Sequence, residues 1–325
     1  MTTTKDFAQM YDRQEYLHII STLYYKEGKT QQEISDLLQI TRPTVSRLLK
    51  EALQRGIVTI TINNIEENYL DLCKKIRKTW NLNSVVICSS TPNELSTKSN
   101  LANKLLPNLK QILDTCETVG IGWGTTLYEL LNFFPSFHTN IKEIIPLIGG
   151  YGITNMQYHS NSLVIRAADK FISKYTLSYT PPYDKDEETV RELYQFPLVA
   201  KQIEKAKSVD IALITPDAIT EHSTLKRLGY ADKEELDTFR AQGIIGNILC
   251  SFYDIAGHTR KTTFTDKMIG LKLDDLRNIR RVYLCAARKE KTLSVLGALN
   301  SGIITDLAID VALAEELIID MGASK

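Results

Sequence analysis

The stretch from Gln31 to Gly56 reads QQEISDLLQITRPTVSRLLKEALQRG and holds two short apolar-periodic segments with only Gln39 and Ile40 between them. The first is predicted to be a helix capped by Thr30, with Glu33 three residues on completing a capping box. Ile34, Leu37 and Leu38 are its expected inward face. The second opens on Thr41-Arg-Pro-Thr44. Thr41 caps it, and Pro43 fits the first turn, where a missing N–H costs nothing. Ile40 and Val45 flank that cap as a hydrophobic staple, which fixes the entry angle of the chain. Val45, Leu48, Leu49 and Leu53 form the expected buried stripe, Arg42, Thr44, Ser46 and Arg47 point outward, and Gly56 ends the helix. Two helices across a short turn, the second projecting a polar N-terminal end, make a helix-turn-helix whose second helix enters the major groove of DNA. Arginine pairs bidentately with guanine, and serine and threonine reach bases or phosphates. The expected DNA-contacting set is Gln31, Thr41, Arg42, Pro43, Thr44, Ser46, Arg47 and Lys50.

Upstream, Leu17, Ile20 and Tyr24 recur at helical spacing and predict a first helix over Arg13 to Glu27, stopped by Gly28. Downstream, IVTITI (57–62) alternates as a strand should, which makes the motif a winged version. The charges agree with this. The chain is neutral, with 39 basic and 39 acidic residues. Residues 1–40 carry four basic and six acidic groups, whereas residues 41–62 carry Arg42, Arg47, Lys50 and Arg55 against Glu51 alone. A small basic patch on a neutral chain suits focused phosphate contact rather than coating of a polyanion.

NNIEEN (63–68) is polar and reads as a linker. The predicted organisation is therefore a DNA-binding domain over 1–62, a linker over 63–68 and a larger domain over 69–325. The hydrophobic fraction of 43% is that of an ordinary globular protein. No apolar run approaches the roughly 20 residues of a membrane span, and MTTTKDFAQMYDR lacks the apolar core of a signal peptide. A cytoplasmic protein is expected. The five cysteines (Cys73, Cys88, Cys116, Cys250, Cys285) show no metal-ligand or framework spacing and are read as buried thiols. No metal and no cofactor is expected.

In the larger region apolar strands alternate with helical segments: SVVIC, TVGIG, EIIPLIG, VDIALIT, RRVYLCA and IITDLAI are strands, with helices such as TTLYELLNFF and VALAEELI after several of them. Leu95 to Leu113 is a predicted helix containing Pro107. The fold class is α/β, a mostly parallel sheet with helices on both faces. Ligands bind such sheets at the carboxyl ends of the strands. The best loop there is Gly120-Ile-Gly-Trp-Gly-Thr-Thr126, between a strand and a helix. Its glycines allow close backbone approach, and the helix N-terminus with the hydroxyls of Thr125 and Thr126 suits an anion such as phosphate. It is neither a dinucleotide fingerprint nor a P-loop, because GxGxxG and Gly-Lys-Ser/Thr spacings are absent. Gly149 and Gly150 end another strand, and Ala287-Arg-Lys-Glu-Lys291 follows a third.

Two groups of segments resemble the SorC/DeoR-type sugar-binding transcriptional regulators of bacteria. One is YYKEGKTQQEISDLLQITRPTVSRLLKEALQRGIVTI. The other is VGIGWGTTLYELL, IIPLIGGYG, IIGNILCSFYDIAG and KTLSVLGALNSGIITDLAIDVALAEELI, in that order. WGTT and RLGYADKEE are most similar to the deoxyribonucleoside-regulator branch. The resemblance implies an effector domain related in fold to sugar-phosphate isomerases and deaminases. It implies a phosphorylated sugar as effector, partly palindromic operator DNA as partner, and a homo-oligomer, commonly a tetramer. It also implies roles residue by residue: Gly122, Gly124, Thr125 and Thr126 in the phosphate loop, Gly149 and Gly150 in a second binding loop, Asn161 before a helix, Lys291 on the phosphate, and Asp310 near the end of the last strand. Asp217 and Asn247 complete the expected effector set. This chain departs from the family at Thr215-Pro216-Asp217, at Asn247 and at Ala287-Arg288, where glycines or an aspartate are usual. Ile148 leaves no lysine before Gly149 for Schiff-base capture, so non-covalent binding is expected.

An enzyme with an appended DNA-binding domain is the alternative, since the fold relatives are enzymes. It would need an acid and a base converging on the sugar. The five histidines (His18, His138, His159, His222, His258) are scattered. Asp310 and Lys291 read more simply as hydroxyl and phosphate recognition. A regulator and not an enzyme is the expectation.

Overall fold

The computed structural model describes residues 13–59 and 69–323. The chain divides into two compact units, residues 1–65 and residues 66–325. The predicted linker, and residues 60–62 of the predicted strand, lie outside the described residues.

The first unit contains helices α1 (Arg13–Ser21), α2 (Gln31–Leu38) and α3 (Arg42–Gln54). Helix α1 does not run as an α-helix to Glu27. It widens into a π-turn over Thr22–Lys26, closed by the Glu27 N–H on the Thr22 carbonyl. The wider turn lets Leu23 and Tyr24 both pack on the core. Both predicted caps are present: Thr30 and Glu33 make the reciprocal capping box, and Thr41 accepts from the Thr44 N–H. Gln39 turns the chain in the left-handed region, at φ 52. The core is Tyr16, Leu17, Ile20, Ile34, Leu38, Val45, Leu48, Leu49 and Ala52. Two expected core positions are corrected: Leu37 and Leu53 are exposed, while Ser35 and Ala52 are buried. Ser35 is tolerated inside because its hydroxyl donates to the Ile40 carbonyl. Ile57 and Val58 form a bend rather than a strand and pack against this core.

The second unit opens with α4 (Leu70–Thr79) and alternates through β1 (Ser84–Cys88), α5 (Glu94–Leu113), β2 (Thr118–Ile121), α6 (Thr125–Phe133), β3 (Glu143–Pro146), α7 (Ser160–Phe171) and β4 (Lys174–Tyr175). Helices α8 (Glu187–Gln195) and α9 (Pro197–Lys207) lead to β5 (Ile211–Ile214) and β6 (Asp217–Ala218). Next come α10 (Thr224–Arg227), α11 (Lys233–Ala241), β7 (Gly246–Ile248), β8 (Ser251–Tyr253) and β9 (Thr259–Arg260). The chain closes with β10 (Arg281–Cys285), α12 (Thr292–Asn300), β11 (Asp306–Asp310) and α13 (Val311–Ala323).

Seven strands form one parallel sheet in the order β1-β11-β10-β5-β2-β3-β4. All six strands predicted from apolar runs are in it. Strand β5 is apolar and fully buried along its length, as a central strand covered on both faces must be. The antiparallel sheet β6-β7-β8-β9 is a feature the sequence reading lacks. Its strands are two or three residues long, too short for a periodic signal.

From β2 the chain winds one way, to β3 and β4. From β5 it winds the other way, to β10 and β11. The order therefore reverses between β2 and β5, neighbours in the sheet. A crevice opens outside the carboxyl ends of the strands at such a reversal.

Candidate functional site

The loops after β2, β5 and β10 meet at that crevice around the side chain of Lys291. Its Nζ donates to the Pro216 carbonyl at 3.0 Å, to Thr126 Oγ1 at 3.2 Å and to Thr215 Oγ1 at 3.4 Å. All three acceptors are neutral. Among the described residues no carboxylate pairs with Lys291 by direct contact. The residue as a whole is half-buried, but its ammonium is enclosed. Burial pulls the ammonium down to about 8, against an upward pull from Asp217. Thr126 is fully buried beneath it, in the first turn of α6. Gly124 precedes that helix at φ 116, a conformation that costs glycine little and other residues much. The free N–H groups of the first turn of α6 and the Lys291 ammonium thus face one space.

That space is a cavity of about 280 Å³ lined by Thr125, Asp217, His222, Arg227, Arg288 and Lys291, with Glu94 and Glu290 at its wall. An adjoining cavity of about 200 Å³ shares Glu94, Thr125 and Arg227 and adds Lys98 and Tyr158. Asp217 is buried and fixed: its carboxylate accepts from Ser223 Oγ at 2.6 Å and from the N–H groups of Thr224 at 2.7 Å and Leu225 at 3.2 Å. His222 lines the same cavity, but the Asp217 oxygens are taken by Ser223, Thr224 and Leu225, so the two form no acid–base dyad.

Of the residues expected from the sequence, Gly124, Thr125, Thr126, Asp217 and Lys291 converge here. Asp310 stands behind them: it accepts from the Arg288 N–H at 2.6 Å and from Ser90 Oγ at 2.5 Å, and so positions the loop that carries Arg288. Gly122 spends its N–H on the Leu213 carbonyl at 3.0 Å. Asn247 is fully buried opposite Asp217 in the β6–β7 ladder, its amide donating to the Leu249 and Ser251 carbonyls and its Oδ1 without a hydrogen-bond partner among the described residues.

Gly149, Gly150 and Asn161 form a separate cluster. The Gly149 N–H donates to the Ile269 carbonyl and the Gly150 N–H to the Thr180 carbonyl, each at 2.8 Å. A Cβ on Gly149 would lie 2.1 Å from the Pro181 carbonyl oxygen, and one on Gly150 2.2 Å from the Asn161 side chain. Asn161 is occupied with the Ser178 backbone, donating at 2.9 Å and accepting at 2.8 Å. None of the three lines the cavity around Lys291. Gly149 thus packs closely on the Pro181–Pro182 backbone and Gly150 on the Asn161 side chain.

Sequence reasoning missed Glu94, Lys98 and Arg227. Glu94 binds Lys98 at 2.8 Å and Arg288 at 2.6 Å. Burial would raise its carboxyl, but hydrogen bonds and charge from Lys98 and Arg288 outweigh that and hold it at about 2. The four-residue spacing of Glu94 and Lys98 was a visible signal. Arg227 packs over the Tyr158 ring at 5.8 Å and has no ion-pair partner among the described residues.

In the first unit Arg42, Arg47 and Lys50 are exposed, and none forms an ion pair with another described residue. Arg13 and Arg55 differ: both are bound to Glu51. Thr41 and Thr44 join their hydroxyls at the exposed start of α3. Gln31 and Ser46 are half-buried and Pro43 is exposed. The expected DNA-contacting residues thus lie on α3 and at the start of α2. Among the described residues no group of His, Cys, Asp or Glu is arranged to hold a metal, and no helix is long and apolar enough to cross a membrane.

Two family models match this chain. Residues 65–319 match a family described as "Putative sugar-binding domain", and residues 12–63 match the MarR family. The deoxyribonucleoside regulator of Bacillus subtilis is 28% identical over 300 residues, covering 92% of this chain and 96% of that protein. The crystal structure of the full-length sorbitol operon regulator SorC from Klebsiella pneumoniae superposes with a TM-score of 0.72 at 27% identity, covering 95% of this chain and 99% of that one. A DeoR family transcriptional regulator from Listeria monocytogenes gives a TM-score of 0.70 at 28% identity over 76% of this chain and 98% of its own.

Proposed function

The chain belongs to the sugar-binding family of SorC- and DeoR-type transcriptional regulators, and on that premise we propose that it controls a carbohydrate or nucleoside catabolic operon in response to a phosphorylated sugar. One observation carries the choice of effector: the enclosed Lys291 ammonium, with no carboxylate in contact, faces the first turn of α6 across a cavity at the reversal of the sheet. An unneutralised cation beside free helix N–H groups is a site for a phosphate. The polar, mixed-charge wall suits the hydroxyls of a sugar. A cavity of about 280 Å³ matches a small ligand of that class. The relatives named as deoxyribonucleoside and sorbitol regulators support a sugar or nucleoside pathway.

DNA is bound by α3, with Arg42 and Arg47 reading bases and Lys50 meeting a phosphate. Each unit offers few cations, so affinity rests on a homo-oligomer placing two or more recognition helices on a partly palindromic operator. The sugar changes operator affinity only by binding one arrangement of the oligomer better than another.

The test separates the two halves. An operator is first enriched from random duplex DNA with the wild-type protein. Arg47→Ala is expected to lose about 1–3 kcal/mol on that operator and to relax its preference at one base position, while keeping its thermal shift with phosphosugar. Unchanged operator affinity in Arg47→Ala would remove α3 from the interface.

A further inference from the structure

The cavity that holds Lys291 carries charges of both signs before any ligand arrives. Arg227, Arg288 and Lys291 line it together with Glu94, Asp217 and Glu290, and Lys98 beside it binds Glu94. A dianionic group entering there is drawn by Lys291 and the helix N–H groups but repelled by these carboxylates, so it gains further if one of them gives way. Asp217 cannot, because two backbone N–H groups and Ser223 hold it rigidly. Glu290 sits two residues from Arg288 on the same turn and travels with it. Glu94 comes from a different element, at the start of α5, and reaches Arg288 and Lys98 through its side chain alone. Lys98 is buried to 5% exposure, with Glu94 as its ion-pair partner.

Arg288 is equally unusual. It is a non-glycine residue at φ 84, in the left-handed region, anchored by its N–H on Asp310. Its carbonyl accepts from the Lys291 N–H at 3.1 Å, so the two cations share one tight turn. A strained residue at a functional loop persists when its surroundings hold it there.

We propose that Glu94 is an internal competitor of the effector's anionic group: its carboxylate holds Arg288 in the ligand-free protein, and the effector phosphate takes Arg288 over. Glu94 thereby sets the affinity of the site, and Arg288 joins Lys291 as a second cation on the phosphate. This rests on the phosphate-binding reading of Lys291 given above. The exchange involves no covalent step, only the transfer of guanidinium hydrogen bonds from one oxyanion to another. Because the Glu94–Arg288 pair is partly exposed, it is weak enough to be exchanged.

The experiment is calorimetric titration of the full-length protein with 2-deoxyribose 5-phosphate and with inorganic phosphate, in five forms: wild type, Lys291→Ala, Glu94→Gln, Glu290→Gln and Arg288→Gly. Glu94→Gln is expected to bind both probes roughly tenfold more tightly. Arg288→Gly is expected to bind them roughly tenfold more weakly, with a melting temperature unchanged or raised, since glycine accepts φ 84 without strain. That combination excludes simple damage to the loop. Lys291→Ala should lose binding altogether. If Lys291→Ala loses binding but Glu94→Gln and Arg288→Gly leave it unchanged, the competition is overturned and the phosphate site stands. If Glu290→Gln gains as much as Glu94→Gln, overall charge explains the effect and the competition is likewise overturned. If Lys291→Ala binds like wild type, or wild type binds neither probe, both proposals fall.

Discussion

Lys291→Met is expected to abolish the response to phosphorylated sugars while leaving the fold intact. Methionine keeps the length and apolar character of the stem and removes the charge. Truncating the cation of an enclosed charge pair costs about 2–5 kcal/mol of binding, a loss of roughly 30-fold or more. The same lysine gives the effect a pH signature. Its ammonium is pulled down to about 8 by burial, so it is charged below that pH and neutral above it. Phosphate affinity is therefore expected to fall as pH rises through about 8. Folding stability moves the other way. Between about 8 and the ordinary lysine range near 10.4 the unfolded chain holds a proton at this position that the folded one has released. Stability contributed by this group thus rises with pH over that window. Titrations and melts at pH 7, 8 and 9 check both signs, and Lys291→Met should flatten both.

The second large effect is on stability. Asp217→Ala is expected to cost about 3–5 kcal/mol, because it removes a buried carboxylate that answers three donors and leaves the Lys291 charge without its nearest counterweight. The Ser223 hydroxyl and the Thr224 N–H would then be buried unpaired, while the Leu225 N–H would keep only Ser223 Oγ, at 3.1 Å. Lys291 should titrate at lower pH in this variant, since Asp217 supplies the main upward pull on it. Chemical denaturation of wild type and Asp217→Ala measures the loss. A difference under about 1 kcal/mol would show that the turn after β6 reorganises around the missing carboxylate.

The DNA-binding unit was legible because its rules are local. Thr30, Glu33, Thr41 and Pro43 act within four residues of themselves, and each appears in its expected cap. The two misplaced leucines show where size misled. At about 100° per residue, Ala52 returns to within about 20° of Val45 whereas Leu53 stands about 80° away, so the smaller residue is the buried one. Leu37 and Ser35 stand equally far, about 80°, from the Ile34–Leu38 midline, and the Ser35 hydroxyl's bond to Ile40 goes with Ser35 taking the inner place.

The strands of the parallel sheet were legible as apolar runs bounded by turns, and Gly124-Thr125-Thr126 as a strand-to-helix loop. Lys291 was legible through family resemblance rather than from its surroundings, since a lysine in a polar run usually faces water. Asp217 was expected too, but the rest of the cavity was not legible. Glu94, Arg227 and Arg288 come from three segments spread over nearly 200 residues, and only the sheet order brings them together. Gly149 and Gly150 were expected in a second binding loop from the resemblance alone; glycine also serves close packing within the chain, here against Pro181 and the Asn161 side chain.

The central claim is that a phosphorylated sugar binds at Thr125, Thr126 and Lys291. Thermal melting of the wild-type protein with 2-deoxyribose 5-phosphate, ribose 5-phosphate and hexose phosphates, each beside its unphosphorylated parent, tests it most directly, with Thr126→Ala and Lys291→Ala run in parallel. At about 100 times its dissociation constant a bound sugar phosphate adds roughly 2.7 kcal/mol, a rise of a few degrees. The account predicts that rise for a phosphorylated sugar and not for its parent, and its loss in both variants. A rise of equal size with the unphosphorylated sugar, or one that survives in Lys291→Ala, would contradict it.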